Sequence, residues 1–131
     1  MRKRQLKNTT AYGFKLCKMN DETYALRKKV MSVIYEAKKV VDLPRVEVRI
    51  VEKKECIQSV LGYAYTGNRI IHIPVRTVKA NEKDMRQTVL HEVVHAVAGF
   101  KHDPDCVLMS PVHQYGISEA KIWDAFKKYF K

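Results

Sequence analysis

Residues 91–103 read HEVVHAVAGFKHD, and how this stretch is read decides what the chain around it must be. At about 100° per residue, His95 falls about 40° from His91 on a helix, one turn further along the same face. That is the separation at which two imidazoles converge on one ion. Glu92 falls at about 100°, flanking that face, where its carboxylate can reach a metal-activated water without being a ligand. Val89, Leu90, Val93, Ala96 and Val97 occupy the opposite arc. The segment therefore predicts a helix buried on its back and polar only where a site would lie. Ala98 falls near the histidine face and is small enough to leave room there. Chance produces a His-Glu-x-x-His match in a chain of this composition on the order of once in a hundred. The bland alternative is a pair of histidines that merely hydrogen-bond in a polar cleft.

A catalytic zinc takes three protein ligands and keeps one position open. His102 is the first choice for the third. On a continued helix it would lie about 10 Å beyond His95 along the axis, too far to share an ion. Gly99 removes the difficulty, because a glycine just past a helix takes the left-handed cap conformation and turns the chain back. Glu119 and His113 stand as alternative third ligands.

Working outward, the segment 81–98 predicts the helix that carries this site, with Asn81 as its cap. The stretch 20–44 predicts an earlier helix, capped by Asn20 or Asp21. Leu26, Val30, Val33, Ile34, Ala37 and Val41 form its apolar stripe, and Pro44 ends it. RVEVRIVE (45–52) alternates as a half-buried strand does. SVLGYAY (59–65) and RIIHIPV (69–75) are two more strands around a turn at 66–68. SEAKIWDAFKKYF (118–130) predicts a closing helix capped by Ser118, with Ile122, Ala125, Phe126 and Tyr129 inward. Residues 1–19 read as an N-terminal arm or short strand. The order predicts one α/β (α+β) domain over residues 1–131, with helices packed on a mostly contiguous sheet.

The bulk numbers agree with a globular chain of 131 residues, 46% apolar and 30% charged. No apolar run is of membrane-spanning length, and the basic start MRKRQLKNTTAY has no apolar stretch behind it, so an intracellular protein is expected. Cys17, Cys56 and Cys106 do not form a disulfide framework. The net charge of +11 points to an anionic partner such as nucleic acid, set against an ordinary solvated surface.

With these residues in hand, the chain resembles the metzincin zinc metalloproteases, the matrixin-like branch in particular. Their pattern is HExxHxxGxxH followed by a turn containing methionine. Here HEVVHAVAGFKHD is followed by PDCVLMSPV, with Gly99 and His102 each one residue later than in that pattern. LGYAYTGNRIIHIP is similar to the family's edge strand and its neighbour, and GISEAKIWDAFKKYF to its last helix. The resemblance implies a small zincin-like fold with an active-site helix, a Met-turn and a C-terminal helix. It implies zinc on His91, His95 and His102, with Glu92 as general base and Met109 as the floor beneath the metal. Leu61, Gly62, Tyr63, Ala64 and Tyr65 would pair with an extended peptide substrate. Pro111, Val112 and His113 would form one wall of the specificity pocket, His113 standing where that family has tyrosine. A second resemblance is to SprT-like proteases, which act on DNA-attached proteins; HEVVHAVAG and the basic charge fit them.

The expectation is a zinc-dependent endopeptidase acting on peptide or protein substrates. The contrasting expectation is a basic nucleic-acid-associated protein whose zinc is structural or vestigial.

Overall fold

The computed structural model describes residues 13–52, 60–65 and 67–130. The part of the N-terminal arm before Gly13, Cys56, Ser59 and the first residue of the expected 66–68 turn lie outside them.

Four strands form one mixed sheet: β1 (Lys15–Leu16), β2 (Glu47–Glu52), β3 (Tyr63–Tyr65) and β4 (Ile70–Pro74), in the order β1-β2-β4-β3. β2 and β4 run parallel, with Val48 beside Ile71 and Ile50 beside Ile73. β1 and β3 pair antiparallel on the outside, so among the described residues both are edges. The helices are α1 (Asp21–Val40), α2 (Val75–Lys79), α3 (Glu82–Val93) and α4 (Glu119–Lys128). This is the small α/β domain that the alternating patterns predict.

Each long helix starts where the sequence places a cap. Asn20 accepts from the Thr23 N–H at 2.9 Å, Asn81 from Asp84 at 2.9 Å, and Ser118 from Lys121 at 3.3 Å. Each cap takes up one of the amide donors that a helix start leaves without an intrahelical partner. The stripe of α1 (Leu26, Val30, Val33, Ile34, Ala37) packs on Val48, Ile50, Ile71 and Ile73 of the sheet. Val89, Leu90, Val93 and Val94, with Ile122 and Phe126 of α4, belong to the same core. The strand period of two sends the intervening side chains to the other face. There Val51, Phe14 and Tyr63 form a second, smaller cluster. His72 is buried on that side between the rings of Tyr63 and Tyr65, at 4.9 and 5.0 Å, and burial pushes its pKa down to about 4.

The first helix stops at Val40 and the last at Lys128, each short of the stretch the sequence predicts, β2 begins at Glu47, and two strand boundaries depart beside the site. The strand expected to run to Val75 stops at Pro74. Proline has no N–H for the ladder, and with φ −66° it caps α2, a helix the periodicity did not reveal. The strand expected from Ser59 begins only at Tyr63. Before it, side chains of α2 take the carbonyls that a ladder would otherwise use. The Arg76 guanidinium donates to Val60 O and the Thr77 hydroxyl to Leu61 O, both at 2.7 Å.

Phe126 is fully buried where α4 closes the core. Phe126→Ala is expected to cost about 3–5 kcal/mol, from lost burial plus the cavity left behind. Urea titration checks this: a loss below about 1 kcal/mol would mean that α4 is not part of the cooperative core.

Candidate metal centre

His91, Glu92 and Val93 end α3 as an ordinary helix, but residues 94–98 form a π-helical turn. The Gly99 N–H donates to Val94 O at 3.0 Å, a bond spanning five residues where an α-helix spans four. Gly99 then takes φ 76°, ψ 11°, the left-handed conformation expected of it. The sequence reading treats the extra residue after His95 as one more position of helix. The structure instead widens the last turn by one residue, so Gly99 still reverses the chain and His102 still comes back to His91.

The result is a cluster of three imidazoles. His91 Nε2 lies 3.2 Å from His95 Nε2 and 3.3 Å from His102 Nε2. Ligand atoms of all three lie within 4.8 Å of one another. Tetrahedral zinc with bonds of about 2.0–2.1 Å sets its ligand nitrogens about 3.3 Å apart, so the spacing fits that ion.

The protons on the rings bear on the fit more directly than the spacing does. His91 Nδ1 donates to Leu108 O at 2.7 Å, and His95 Nδ1 donates to Phe100 O at 2.7 Å. A carbonyl oxygen only accepts, so both protons sit on Nδ1. Burial pushes the His91 pKa down to about 4 and lowers that of His95, which keeps both rings neutral near pH 7. Their Nε2 lone pairs therefore face each other with no proton between them. Such an arrangement is unfavourable alone and favourable around a cation.

The carbonyls come from the two segments that follow the helix. Phe100 is the first residue after the Gly99 reversal, and its ring packs on Tyr129 at 4.9 Å. Leu108 lies in the turn that also carries Met109. The Met109 carbonyl accepts from the Asp103 N–H at 2.8 Å, one residue from His102. Adjacent carbonyls of one turn thus orient His91 and fasten the loop that delivers His102. Met109 is wholly buried in the main core.

Glu92 is buried, 5% exposed, and burial pushes its pKa up to about 8. A nearby divalent cation would lower it again. Gly62 is pressed against it: a Cβ on Gly62 would stand 3.2 Å from Glu92 Cγ and 3.3 Å from side-chain atoms of Ile73 and Thr88. Glycine lets the edge segment pass close over the Glu92 side chain without pushing these neighbours aside.

These groups open onto a cleft of 870 Å3, whose walls include Leu61–Ala64, Leu108 and Pro111–His113. Of the expected peptide-pairing residues, Tyr65 is not in that wall; it turns to the other face of the sheet, against Tyr63 and His72. Neither alternative third ligand joins the cluster. Glu119 pairs with Arg86 at 3.6 Å, and His113 is hydrogen-bonded to Asp84 at 3.1 Å. The sequence reading passes over Arg76 and Thr77, which hold the edge segment in place. It also passes over Thr88 and Gln87, which share the helix face of His91 and line the cleft. Their signal was the continuation of that polar face toward the helix start. Cys17 and Cys106 are free thiols. No family model, curated protein or solved structure matches the chain.

Two predictions follow from this geometry. Deleting Ala98 should convert the π turn into an α turn and leave zinc bound at one per chain, whereas His102→Ala should lose it and Glu119→Ala should not. Elemental analysis after dialysis reads all three, and a zinc-free deletion variant would mean that the wide turn is required for the site.

The second prediction concerns the zinc-free protein. Burial raises Glu92's folded pKa above its unfolded value, so the cost of ionising it in the fold is absent below about pH 4.5 and grows as pH rises to about 8. Glu92→Gln should therefore stabilise the zinc-free chain, by on the order of a few kcal/mol at pH 8.5 and by little at pH 5. Thermal melts in chelator at the two pH values measure the difference. Equal shifts would show that Glu92 is not held in a desolvated site.

Proposed function

We propose that this chain is a zinc-dependent peptide hydrolase, with His91, His95 and His102 as metal ligands and Glu92 as general base. The observation that carries the reading is the pair of Nδ1–H···O=C bonds, which leaves imidazole lone pairs converging beside a buried glutamate. When bound, zinc supplies Lewis acidity, polarising a carbonyl and acidifying a water toward neutrality.

The chain's own residues supply the rest. Glu92, the helix neighbour of His91, accepts the proton that the attacking water gives up and passes it to the departing amine. Its burial makes the carboxylate a better base than an exposed one, because desolvation disfavours the charged form. Tyr63 and Ala64 belong to an edge strand, which suits an extended peptide joining the sheet alongside the cleft. Arg76 and Thr77 keep that edge at a fixed height over Glu92 by holding the Val60 and Leu61 carbonyls.

The reading of a nucleic-acid-associated protein with structural zinc is less well served. A structural site is closed by four protein ligands, whereas among the described residues this cluster has three, and His102 lies on its exposed side. No helix among the described residues is long and apolar enough to cross a membrane.

Glu92→Gln is expected to bind zinc as the wild type does and to lose peptide hydrolysis by about 10²-fold or more. Cleavage of a quenched fluorescent casein digest by both zinc-loaded proteins tests it. Equal rates would remove Glu92 from the mechanism.

A further inference from the structure

The polar face of α3 does not end at the histidines. Taking about 100° per residue, Asp84, Gln87, Thr88, His91, Glu92 and His95 fall within an arc of about 140°. Asp84 lies about 10 Å before His91 along the axis, a length that a neighbouring substrate side chain can span. At that end of the cleft the segment after Met109 lays His113 against the helix. Ser110 Oγ accepts from the Val112 N–H at 3.2 Å and from Gln114 Nε2 at 3.3 Å, so the wall is braced by its own bonds. Val112 and Tyr115 point outward, 68% and 70% exposed, while His113 turns inward.

The hydrogen bonds fix what this end offers a ligand. The Asp84 N–H donates to Asn81 Oδ1 at 2.9 Å, and Asn81 Nδ2 donates to Asp84 Oδ2 at 2.7 Å. The other oxygen, Oδ1, accepts from His113 Nε2 at 3.1 Å. His113 therefore carries its proton on Nε2, and in the neutral ring Nδ1 is an acceptor. Gln87 is committed in the same sense: its Nε2 donates to the Gln114 carbonyl at 3.0 Å, leaving Oε1 as its acceptor end. Both side chains line the cleft with their donor nitrogens turned into the protein.

We propose that His113, oriented by Asp84, forms with Gln87 a selectivity subsite for a substrate side chain that donates hydrogen bonds: ammonium, guanidinium, amide or hydroxyl. It disfavours carboxylates, which meet the two acceptors His113 Nδ1 and Gln87 Oε1, and aliphatic side chains, which leave those acceptors unpaired. The inference rests on the hydrolase reading and names the substrate class of the same cleft. His113 acts on specificity and Asp84 acts through it, as a positioning residue.

The Asp84→Asn variant gives a readout that a purely structural role would not move. In the orientation that keeps the Asn81 bond, the new amide turns its oxygen to Asn81 and its NH2 to His113. That forces His113 Nε2 to accept and moves the ring proton to Nδ1, making the subsite a donor.

The test uses peptide libraries randomised at one position at a time, offered to the zinc-loaded full chain. Retention is read on the Glu92→Gln background, and cleavage on the wild type. At one position, donor side chains should be enriched at least about tenfold over leucine and aspartate. His113→Phe should abolish the enrichment, and Asp84→Asn should shift it toward aspartate and glutamate. The proposal is overturned by an unselective profile at every position, or by the same profile in both variants. Cleavage without side-chain preference would sink the subsite and leave the hydrolase. Selective retention without wild-type cleavage would do the reverse, and neither retention nor cleavage would sink both.

Discussion

Two hydrogen bonds, from His91 Nδ1 to the Leu108 carbonyl and from His95 Nδ1 to the Phe100 carbonyl, govern the rest of the site. They fix the tautomer of each ring, aim each Nε2 at the same point and tie the helix to the two segments that follow it. Removing either carbonyl would free a ring to rotate and to protonate on the wrong nitrogen. The scaffold can be seen as the means of putting those two oxygens there. Gly99 returns the chain so that Phe100 lies over His95, and the turn before Met109 brings Leu108 to His91.

The π turn is the local cost of this arrangement. One residue more than an α turn lies between Val94 and Gly99, yet the chain must still reverse at the right height. Widening the turn absorbs the residue at the helix end, where the amide and carbonyl groups are already being handed from the helix to the loop. The alternative, a longer regular helix, would rotate Gly99 by about 100° and carry His102 away from the cluster. On the other side of the cleft, Gly62 plays the matching part, since a Cβ there would crowd the Glu92 side chain at its Cγ.

The main outlines were legible in the sequence because they follow from periodicity and caps. The stripe of α1, the alternation in β2, and the caps Asn20, Asn81 and Ser118 all specify their elements locally. So does the His91–Glu92–His95 face, since it needs only helical geometry. What was not legible depends on tertiary partners. The π turn leaves no mark in composition. The five residues of α2 are too few for a helical period to appear, and β3 is shortened by side-chain bonds from Arg76 and Thr77. Tyr65 was counted with its neighbours of the edge strand, but the cleft wall ends at Ala64, and Tyr65 packs with Tyr63 and His72 on the other face of the sheet. His102 was favoured in the sequence through Gly99; that Glu119 and His113 stand apart from the cluster rests on partners, Arg86 and Asp84, that lie far away in the chain.

The most direct test of the preset lone pairs is a long-range 1H–15N spectrum of the histidine rings, recorded without zinc and again with one equivalent. The structure predicts that His91 and His95 are Nδ1–H tautomers in both samples at pH 7 and that zinc shifts only their Nε2 resonances, with His102 joining them. Rings that are Nε2–H, or averaged between tautomers before zinc is added, would contradict the account.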